Sequence, residues 1–461
     1  MQVKVSGSNN YLEKNNIVCF FEPQSVAVVG TLRESYFGSH AIIKNLLEVG
    51  FMGKIYPIDV SCSEFMGLKV HASLKNISEK IDLVLAIVNS SMISNLMIEC
   101  VEKDVKAIII FSNSFLESDE GKFILQKEVL EIAKRSGIRV IGPNTAGIIN
   151  TGNSFISHPY IMGHGKIKLG GISLCGQNRM ISPHTYPFAD FHYGISKVCD
   201  LGNKSDVDES DILEYLENDS STKVIAMHIE NIRDGKRFLK IARRVTYKKP
   251  VLVLKPGRTN EQVFDAACKQ AGIILLEKFS ELFEIPKFFA FQPLPKGNQF
   301  GIISYTGMGA ALAADEGAKY NLSIAKLSPD TIAKLNVISP GLCKSVVDLG
   351  PLMALKNDYI SVYPEILKVV LEDDNIDCLF HILWAAPMGP FLEDYIKIFR
   401  NLRSVSQKPV VIWVYGPRQP NVYDLTCNLE DLGFPVFSAL ETAIKAIGLA
   451  YQYAIWKGRK P

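Results

Sequence analysis

The sequence lacks the features that mark several classes of protein. Its 461 residues include 50 basic and 48 acidic side chains, and this balance indicates neither a nucleic-acid-binding nor an anionic-membrane-binding protein. The nine cysteines include no C-x-x-C pair, which fits a reducing cytoplasm better than a disulfide framework. No uninterrupted apolar run is long enough to span a bilayer, and residues 1–8 contain no apolar signal core. We therefore expect a cytoplasmic protein without a membrane, nucleic-acid or metal partner.

Apolar segments are nevertheless abundant, and they alternate in type along the chain. Hydrophobic residues make up 47% of the sequence, and the length predicts two to four domains. Strand-like apolar runs alternate with helical patterns, which predicts stacked α/β domains with mainly parallel sheets. The predicted strands lie near residues 25–30, 54–58, 81–88, 105–111, 138–141, 172–174, 196–201, 224–230, 251–255, 273–276, 300–305, 379–383, 410–414 and 436–437.

A glycine turn follows the first predicted strand. The segment Ser25–Thr31 reads as a hydrophobic strand that runs into Gly30, and Gly38 stands just before a predicted helix. Such a turn directs backbone N–H groups and a helix N-terminus at a phosphate. A generic doubly wound turn is the alternative, because a strand followed by one glycine is common in this fold class.

Two later segments carry turn and cap signals. In Gly142–Gly147 the glycines and the proline predict a tight turn that exposes Asn144. Asp206 and Asp208 are suited to capping a helix over Ser210–Leu216, and we favour that structural role over proton transfer.

Three stretches resemble the α subunit of the NDP-forming acyl-CoA synthetases, in the succinyl-CoA synthetase superfamily. Residues 201–216, from Leu-Gly-Asn-Lys-Ser-Asp-Val-Asp onward, follow the consensus of that family nearly letter for letter. Residues 250–275 resemble its core, and residues 142–147 resemble its Gly-Pro-Asn-Cys-x-Gly, with Thr145 where cysteine is usual. The resemblance covers nearly the whole chain. It implies a Rossmann-like CoA-binding domain over 1–150 and two flavodoxin-like ligase domains over 151–295 and 296–461.

The resemblance also implies a ligand and a set of site residues. CoA or acyl-CoA is expected at the carboxyl edge of the first sheet, although Asn89 replaces a usual proline and Thr31-Leu32-Arg33 replaces a usual Ala-Ser turn. Asn144 is expected near the acyl-transfer centre, and Glu230 aligns with the glutamate that orients the family's phosphohistidine. The residues expected to contact the cofactor are Gly30, Thr31, Arg33, Gly38 and Asn89.

The phosphate cradle of the family is altered in this sequence. Gln177, Asn178 and Arg179 stand where the family has Gln-Ser-Gly. A guanidinium in place of the glycine is expected to fill the phosphate space or to bind an anion itself, and the alternative is a solvent-pointing arginine. His228 lies two residues before Glu230 and so faces the same side of the predicted strand, either as a His/Glu pair or as a satisfied core histidine.

The central catalytic loop of the family is missing. The family carries Ser-His-Thr-Gly, with the phosphorylated histidine, between Gly-Arg-Thr and Phe-Asp-Ala-Ala. Here Thr259 reaches Val263 through only Asn260, Glu261 and Gln262, and Thr259–Gln262 fits a capping box for a helix to about Gln270.

The sequence therefore supports more than one function. The first hypothesis is a CoA- or acyl-CoA-binding homologue without phosphohistidine catalysis, as a noncatalytic or regulatory subunit. The alternatives are an acid–CoA ligase completed by a partner's histidine, and a phosphate-independent acyltransferase or thioesterase that uses Glu230, Asn144 and Gln177. The ATP-grasp domains that bind nucleotide in the family are not in this sequence. We therefore expect no nucleotide site in the chain, a possible ATP-grasp β-type subunit as partner, and a homo- or hetero-oligomer.

Overall fold

The computed structural model describes residues 16–112, 119–161, 167–177, 181, 193–257, 262–343, 346–355, 359–385, 390–405 and 407–458. The chain divides into two compact units, Met1–Leu275 and Leu276–Pro461. The predicted boundaries at 150 and 295 rest on sequence pattern, and the division into three domains stays a prediction. None of the described helices combines the length and the apolar content needed to cross a bilayer.

The first sheet of unit 1 is parallel and buried on both faces. Val26, Val28 and Leu85 are completely buried, as expected for strands that helices cover on each side. The strand order is β2-β1-β5-β6-β7, with a small β3–β4 hairpin beside it. The strands are β1 (Ser25–Gly30), β2 (Lys54–Ile58), β3 (Glu64–Phe65), β4 (Leu68–Lys69), β5 (Leu83–Ile87), β6 (Ala107–Ile110) and β7 (Arg139–Ile141). The helices are α1 (Val18–Phe21), α2 (Ser39–Val49), α3 (Ile93–Glu102) and α4 (Asp119–Ser136).

The second sheet of unit 1 is mixed. Its order is β14-β13-β12-β10-β11-β8-β9, in which β8 and β9 pair in the antiparallel sense. The strands are β8 (Ile148–Asn150), β9 (Phe155–Ile156), β10 (Leu169–Gly176), β11 (Ile195–Asp200), β12 (Val224–His228), β13 (Val251–Leu254) and β14 (Ile274–Leu276). The helices are α5 (Glu209–Asn218), α6 (Gly235–Lys248) and α7 (Gln262–Gln270). The segment after Asn150 thus contains β9, which extends this sheet beyond β8.

One hydrophobic core serves both sheets of unit 1. The same buried cluster contains Val28 of the first sheet and Ile225 of the second. Phe21 of α1 stacks on Tyr215 of α5, with ring centroids 4.3 Å apart. The two sheets of unit 1 therefore pack on a shared hydrophobic core.

Unit 2 is a third α/β layer. Its strand order is β16-β15-β18-β19-β20, with β17 paired to β15. The strands are β15 (Gln299–Ser304), β16 (Ser323–Ile324), β17 (Val347–Asp348), β18 (Cys378–Trp384), β19 (Val410–Tyr415) and β20 (Val436–Phe437). The helices are α8 (Glu281–Phe291), α9 (Gly307–Ala318), α10 (Pro329–Ile338), α11 (Gly350–Leu355), α12 (Tyr363–Glu372), α13 (Pro390–Val405), α14 (Gln419–Asp431) and α15 (Leu440–Gly458). The predicted fold class, a Rossmann-like domain followed by flavodoxin-like α/β layers, is confirmed.

Candidate functional site

A cleft of about 1210 Å³ opens at the carboxyl edge of the first sheet. From β1 the chain first adds β2 on one side and then adds β5, β6 and β7 on the other side. Open α/β sheets bind ligands at the point where the strand order switches sides in this way. The cleft is lined by residues that follow β1, β2, β5 and β6 and by the first turns of α3. Of the predicted cofactor residues, Gly30, Thr31 and Asn89 line it.

Gly30 shapes the floor of the cleft. Its φ is +149°, and a Cβ built there would lie 2.4 Å from the Ile87 carbonyl oxygen and 2.5 Å from Ser39 Oγ. A side chain at this position would therefore collide with backbone, so the close approach of β1, β5 and α2 requires glycine.

The N-terminus of α2 contains a buried hydroxyl, that of Ser39. Ser39 is 1% exposed, and its Oγ has no hydrogen-bond partner among the described residues. Gly38 precedes it as the N-cap, but the Gly38 N–H donates to the Pro159 carbonyl at 2.8 Å. Gly38, predicted to contact cofactor, does not line the cleft and instead ties α2 to residue 159.

The wall after β2 is formed by an ionised carboxylate. Asp59 Oδ2 accepts hydrogen bonds from Leu32 N at 2.9 Å and Ser61 Oγ at 2.8 Å, and Oδ1 accepts from Val60 N at 2.7 Å. Partial burial opposes the charge, but these hydrogen bonds outweigh it and hold the pKa of Asp59 below its ordinary value. Asp59 therefore organises the turn after Gly30 as a carboxylate.

The other residues of the cleft are acidic, polar or apolar. Glu99 of α3 accepts from Ser73 Oγ at 2.8 Å and from Leu74 N at 3.1 Å. Among the described residues, no lysine, arginine or histidine lines the cleft. Arg33, predicted to meet a phosphate, is exposed in the turn after Gly30 and is not part of the lining.

A second group of predicted site residues lies where the two sheets of unit 1 meet. Residues 201–208 follow β11 and contact the turn that carries Asn144: Asn203 N donates to the Pro143 carbonyl at 2.9 Å, and Ser205 N to the Gly142 carbonyl at 3.1 Å. A Cβ on Gly202 would lie 2.3 Å from Pro143 O. Asn144 is half-buried rather than exposed, with φ +62° and its Nδ2 3.5 Å from Asn203 Oδ1. We call this region, with Gln177 and Glu230, the junction.

Thr145 replaces the usual cysteine with a structural hydroxyl. The residue is completely buried, and its Oγ1 donates to the Asp200 carbonyl and accepts from Gly147 N at 2.8 Å. The hydroxyl that stands at this position therefore stabilises the turn.

Gln177 and Glu230 are joined through the backbone. Gln177 Oε1 accepts from Glu230 N at 2.8 Å and from Asn231 N at 3.2 Å. β12 ends at His228, so Glu230 lies in the following turn rather than at the strand end predicted, and its side chain is exposed. Asn178 and Arg179, the rest of the predicted anion pocket, and the predicted cap at Thr259–Glu261 lie outside the described residues.

A buried ion pair stabilises the turn that carries Glu230. Lys204 Nζ lies 2.7 Å from Glu209 Oε2, and the two side chains are 1% and 2% exposed. The same ammonium donates to the Asn231 carbonyl at 2.5 Å. Lys204 therefore connects the 201–208 segment to the turn that carries Glu230.

Asp208 caps α5, as predicted, but Asp206 does not. Asp208 Oδ1 accepts from Ser210 N and Asp211 N, which closes a capping box. Asp206 instead accepts from Arg139 Nε at 2.8 Å and Val140 N at 2.9 Å. The correction follows from tertiary structure, because β7 brings Arg139 next to a carboxylate far away in sequence.

His228 is buried near Glu230. Burial lowers the pKa of His228, and the charge of Glu230 partly opposes that effect. No described cluster of three or more His, Cys, Asp or Glu side chains could hold a metal ion.

Sequence reasoning missed four of these residues. Asp59 stands directly after a predicted strand, where an acidic residue in this fold class often contacts ribose, so its position was a usable signal. Ser39 and the Lys204–Glu209 pair had no such signal, because only the tertiary contacts show that the serine hydroxyl is unpartnered and that the two charges are buried.

Two family models match the chain. A CoA binding domain matches residues 24–151, and a succinyl-CoA ligase like flavodoxin domain matches residues 170–289. The first match contains the cleft, and the second contains most of the second sheet.

Known proteins match over nearly the full chain. The α subunit of acetate–CoA ligase [ADP-forming] II from Pyrococcus furiosus is 32% identical, covering 94% of this chain and 97% of that subunit. Acetate–CoA ligase [ADP-forming] II from Archaeoglobus fulgidus is also 32% identical, but the match covers 94% of this chain and only 66% of that protein. A Pyrococcus horikoshii OT3 protein of known crystal structure is 30% identical, with a TM-score of 0.84 over 95% of this chain and 99% of that chain.

Proposed function

Because this chain belongs to the family of ADP-forming acyl-CoA ligases, in the layout of the α subunit, we propose that it binds coenzyme A or acyl-CoA in the cleft of the first sheet. We further propose that it does so without phosphohistidine catalysis of its own, as a noncatalytic or regulatory subunit. The chain spans only 66% of the Archaeoglobus relative, so the activity of the complete enzyme is not transferred to it.

The cleft carries the proposal, since its turn fits the diphosphate of coenzyme A. The Gly30 turn leaves no room for a Cβ, and the Ser39 hydroxyl is buried beside it without a described partner. A helix N-terminus with free N–H groups attracts negative charge, and an unsatisfied buried hydroxyl costs free energy unless a ligand accepts a hydrogen bond from it. Gly30, Thr31 and Ser39 would therefore hold the diphosphate, and the thiol of bound coenzyme A would supply the acyl-accepting chemistry.

The junction supports the noncatalytic part of the proposal. The backbone amides of Glu230 and Asn231 already donate to Gln177, and the Thr145 hydroxyl already accepts from Gly147 N within its own turn. In the sequence, no histidine occurs between β13 and α7, where the family carries its phosphorylated residue. These groups bind one another rather than presenting donors to a phosphate.

Isothermal titration calorimetry with coenzyme A tests the binding proposal. The variant Thr31→Asp adds a negative charge to an exposed residue of the cleft and should weaken binding at least about 10-fold through like-charge repulsion. Met52→Asp, at a residue that is 94% exposed and outside the cleft lining, is the matched control and should bind like the parent chain. No heat with millimolar coenzyme A would overturn the proposal.

Labelling with ATP tests the noncatalytic part. The chain should remain free of acid-labile phosphate after incubation with labelled ATP, magnesium and an ATP-grasp chain from an ADP-forming acetate–CoA ligase. That ATP-grasp partner is itself proposed from the α-subunit layout, and co-purification from the native host would test it. Acid-labile label that disappears in His228→Ala would mean that a substitute phosphohistidine exists.

A further inference from the structure

We infer that the cleft prefers 3′-dephospho-coenzyme A, whose ribose hydroxyls are free, over coenzyme A, whose ribose carries a 3′-phosphate. This inference rests on the proposed function and narrows the ligand of the same site.

The charge of the lining is the first argument. Asp59 and Glu99 line the cleft, and no described lysine, arginine or histidine does. A 3′-phosphate adds up to two negative charges, and recognition of such a group ordinarily uses arginine or lysine. The charged side chains of the described lining are negative, whereas a bound phosphate needs positive charge around it.

The position of Asp59 is the second argument. It follows β2 directly and accepts from Leu32 N, in the turn after Gly30. In open α/β nucleotide sites, the residue at the end of the second strand faces the ribose: a carboxylate there accepts from a ribose hydroxyl, whereas an arginine accommodates a ribose phosphate. With a diphosphate at Gly30, the same geometry brings the adenosine ribose to the Asp59 wall.

The carboxylate of Asp59 stays ionised, so it does not become neutral by binding a proton when a phosphate lies nearby. Three backbone N–H groups, those of Leu32, Val60 and Ser61, donate to it together with the Ser61 hydroxyl. A protonated oxygen would oppose one of these donors, so the group stays charged.

Lys75 and Arg33 add no side chain to the lining of the cleft. Lys75, on the loop after Ser73, lies 2.7 Å from Glu102 and is not part of the lining. Arg33 is exposed and also outside the lining. The diphosphate end of the cleft therefore fits coenzyme A, and the ribose end does not fit its third phosphate.

Calorimetric titration with the two ligands, which differ by one phosphate, tests the inference. At low ionic strength, where charge repulsion is least screened, dephospho-coenzyme A should bind about 10-fold more tightly than coenzyme A. Val60 lines the cleft beside Asp59 and is 84% exposed, so Val60→Lys adds a cation there without disturbing the core. This variant should remove most of the difference by strengthening coenzyme A binding, whereas Met52→Lys, the same charge change at a residue outside the lining, should leave the difference intact.

The outcomes separate this inference from the proposed function. Equal affinities, or tighter binding of coenzyme A, would overturn the preference while leaving coenzyme A binding in place. An equal gain for both ligands in Val60→Lys would mean that the 3′-phosphate does not lie at the Asp59 wall, which also overturns the inference. Binding of neither ligand would overturn the proposed function as well.

Discussion

The cleft and the junction are built from similar residue types but use them in opposite ways. Beside the cleft, which has a volume of about 1210 Å³ and which Ser39 does not line, the Ser39 hydroxyl has no partner among the described residues. At the junction, Gln177 accepts from the amides of Glu230 and Asn231, and Lys204 donates to the Asn231 carbonyl. The first region has a buried donor with no described partner, whereas at the second the amides of Glu230 and Asn231 are bonded within the protein, although Glu209 Oε1 is also buried there without a described partner.

This difference concerns which buried polar groups a ligand could satisfy. A buried hydroxyl without a partner costs stability, and a ligand that accepts a hydrogen bond from it would remove that cost. Polar groups that satisfy one another, as Gln177 and the amide of Glu230 do, stabilise the fold and need no ligand. The contrast predicts opposite responses to mutation, and four experiments test it.

The largest effect is expected at the buried ion pair of the junction. Lys204→Met leaves the Glu209 carboxylate buried without its cation, and breaking such a pair costs about 3–5 kcal/mol. Urea unfolding followed by circular dichroism measures the loss. The double variant Lys204→Met, Glu209→Leu should recover most of it.

A surface pair provides the comparison for this variant. Lys44→Met removes an exposed pair with Glu48 at 3.8 Å and should change the unfolding free energy by less than about 0.5 kcal/mol. If Lys204→Met costs no more than Lys44→Met, buried charge does not hold the junction together.

One variant beside the cleft should raise the stability of the protein and lower its affinity for the ligand. Ser39→Ala removes a buried unsatisfied hydroxyl, so the ligand-free protein should gain about 1 kcal/mol of stability. Its affinity for coenzyme A should fall about 10-fold, because the diphosphate loses a donor, most of it as a faster dissociation rate. Thermal unfolding and calorimetry measure the two changes.

Ser25→Ala, at the start of β1, is the matched control. The Ser25 hydroxyl donates to the Lys80 carbonyl at 2.9 Å and accepts from Asp82 N at 3.0 Å. Its loss should lower stability by about 1 kcal/mol and leave the affinity unchanged. A Ser39→Ala variant that behaves like Ser25→Ala would remove the contrast between the cleft and the rest of the unit.

A smaller effect is expected where Gln177 closes the junction. Gln177→Ala frees the amides of Glu230 and Asn231, and loss of about 1 kcal/mol of hydrogen bonding should speed their hydrogen exchange roughly 5-fold. Exchange followed by NMR resolves the two amides. Gln262→Ala, at the exposed start of α7, should leave both rates unchanged; unchanged rates in Gln177→Ala would mean that Gln177 does not close this turn.

The smallest effect is electrostatic and concerns His228. Burial lowers the pKa of His228 and the negative charge of Glu230 opposes that effect, so Glu230→Gln should lower the pKa further. The imidazolium loses a favourable neighbour, and its titration therefore moves to lower pH. NMR titration of the ring protons measures the shift, with Glu48→Gln as the control; an unchanged or raised pKa would place Glu230 away from the imidazole.

Much of this protein was determined by the sequence alone. The alternation of apolar strands with helices predicted the α/β layers, and the predicted strands at 25–30 and 54–58 coincide with β1 and β2. The glycine at the end of β1 predicted the turn that lines the cleft, because a backbone with positive φ in close contact requires that residue. Asp208 was recognisable as a cap, since capping depends on neighbours within three residues.

Other features were decided by the tertiary structure, because they depend on contacts between residues far apart in the chain. Asp206 looked like a second cap until β7 placed Arg139 beside it. Gly38 stays a predicted ligand contact, and only the fold shows that its amide donates to the Pro159 carbonyl. The ionised state of Asp59, the burial of Lys204 with Glu209 and the unpartnered hydroxyl of Ser39 each follow from what the fold brings next to a side chain, and the residue type alone contains no such information.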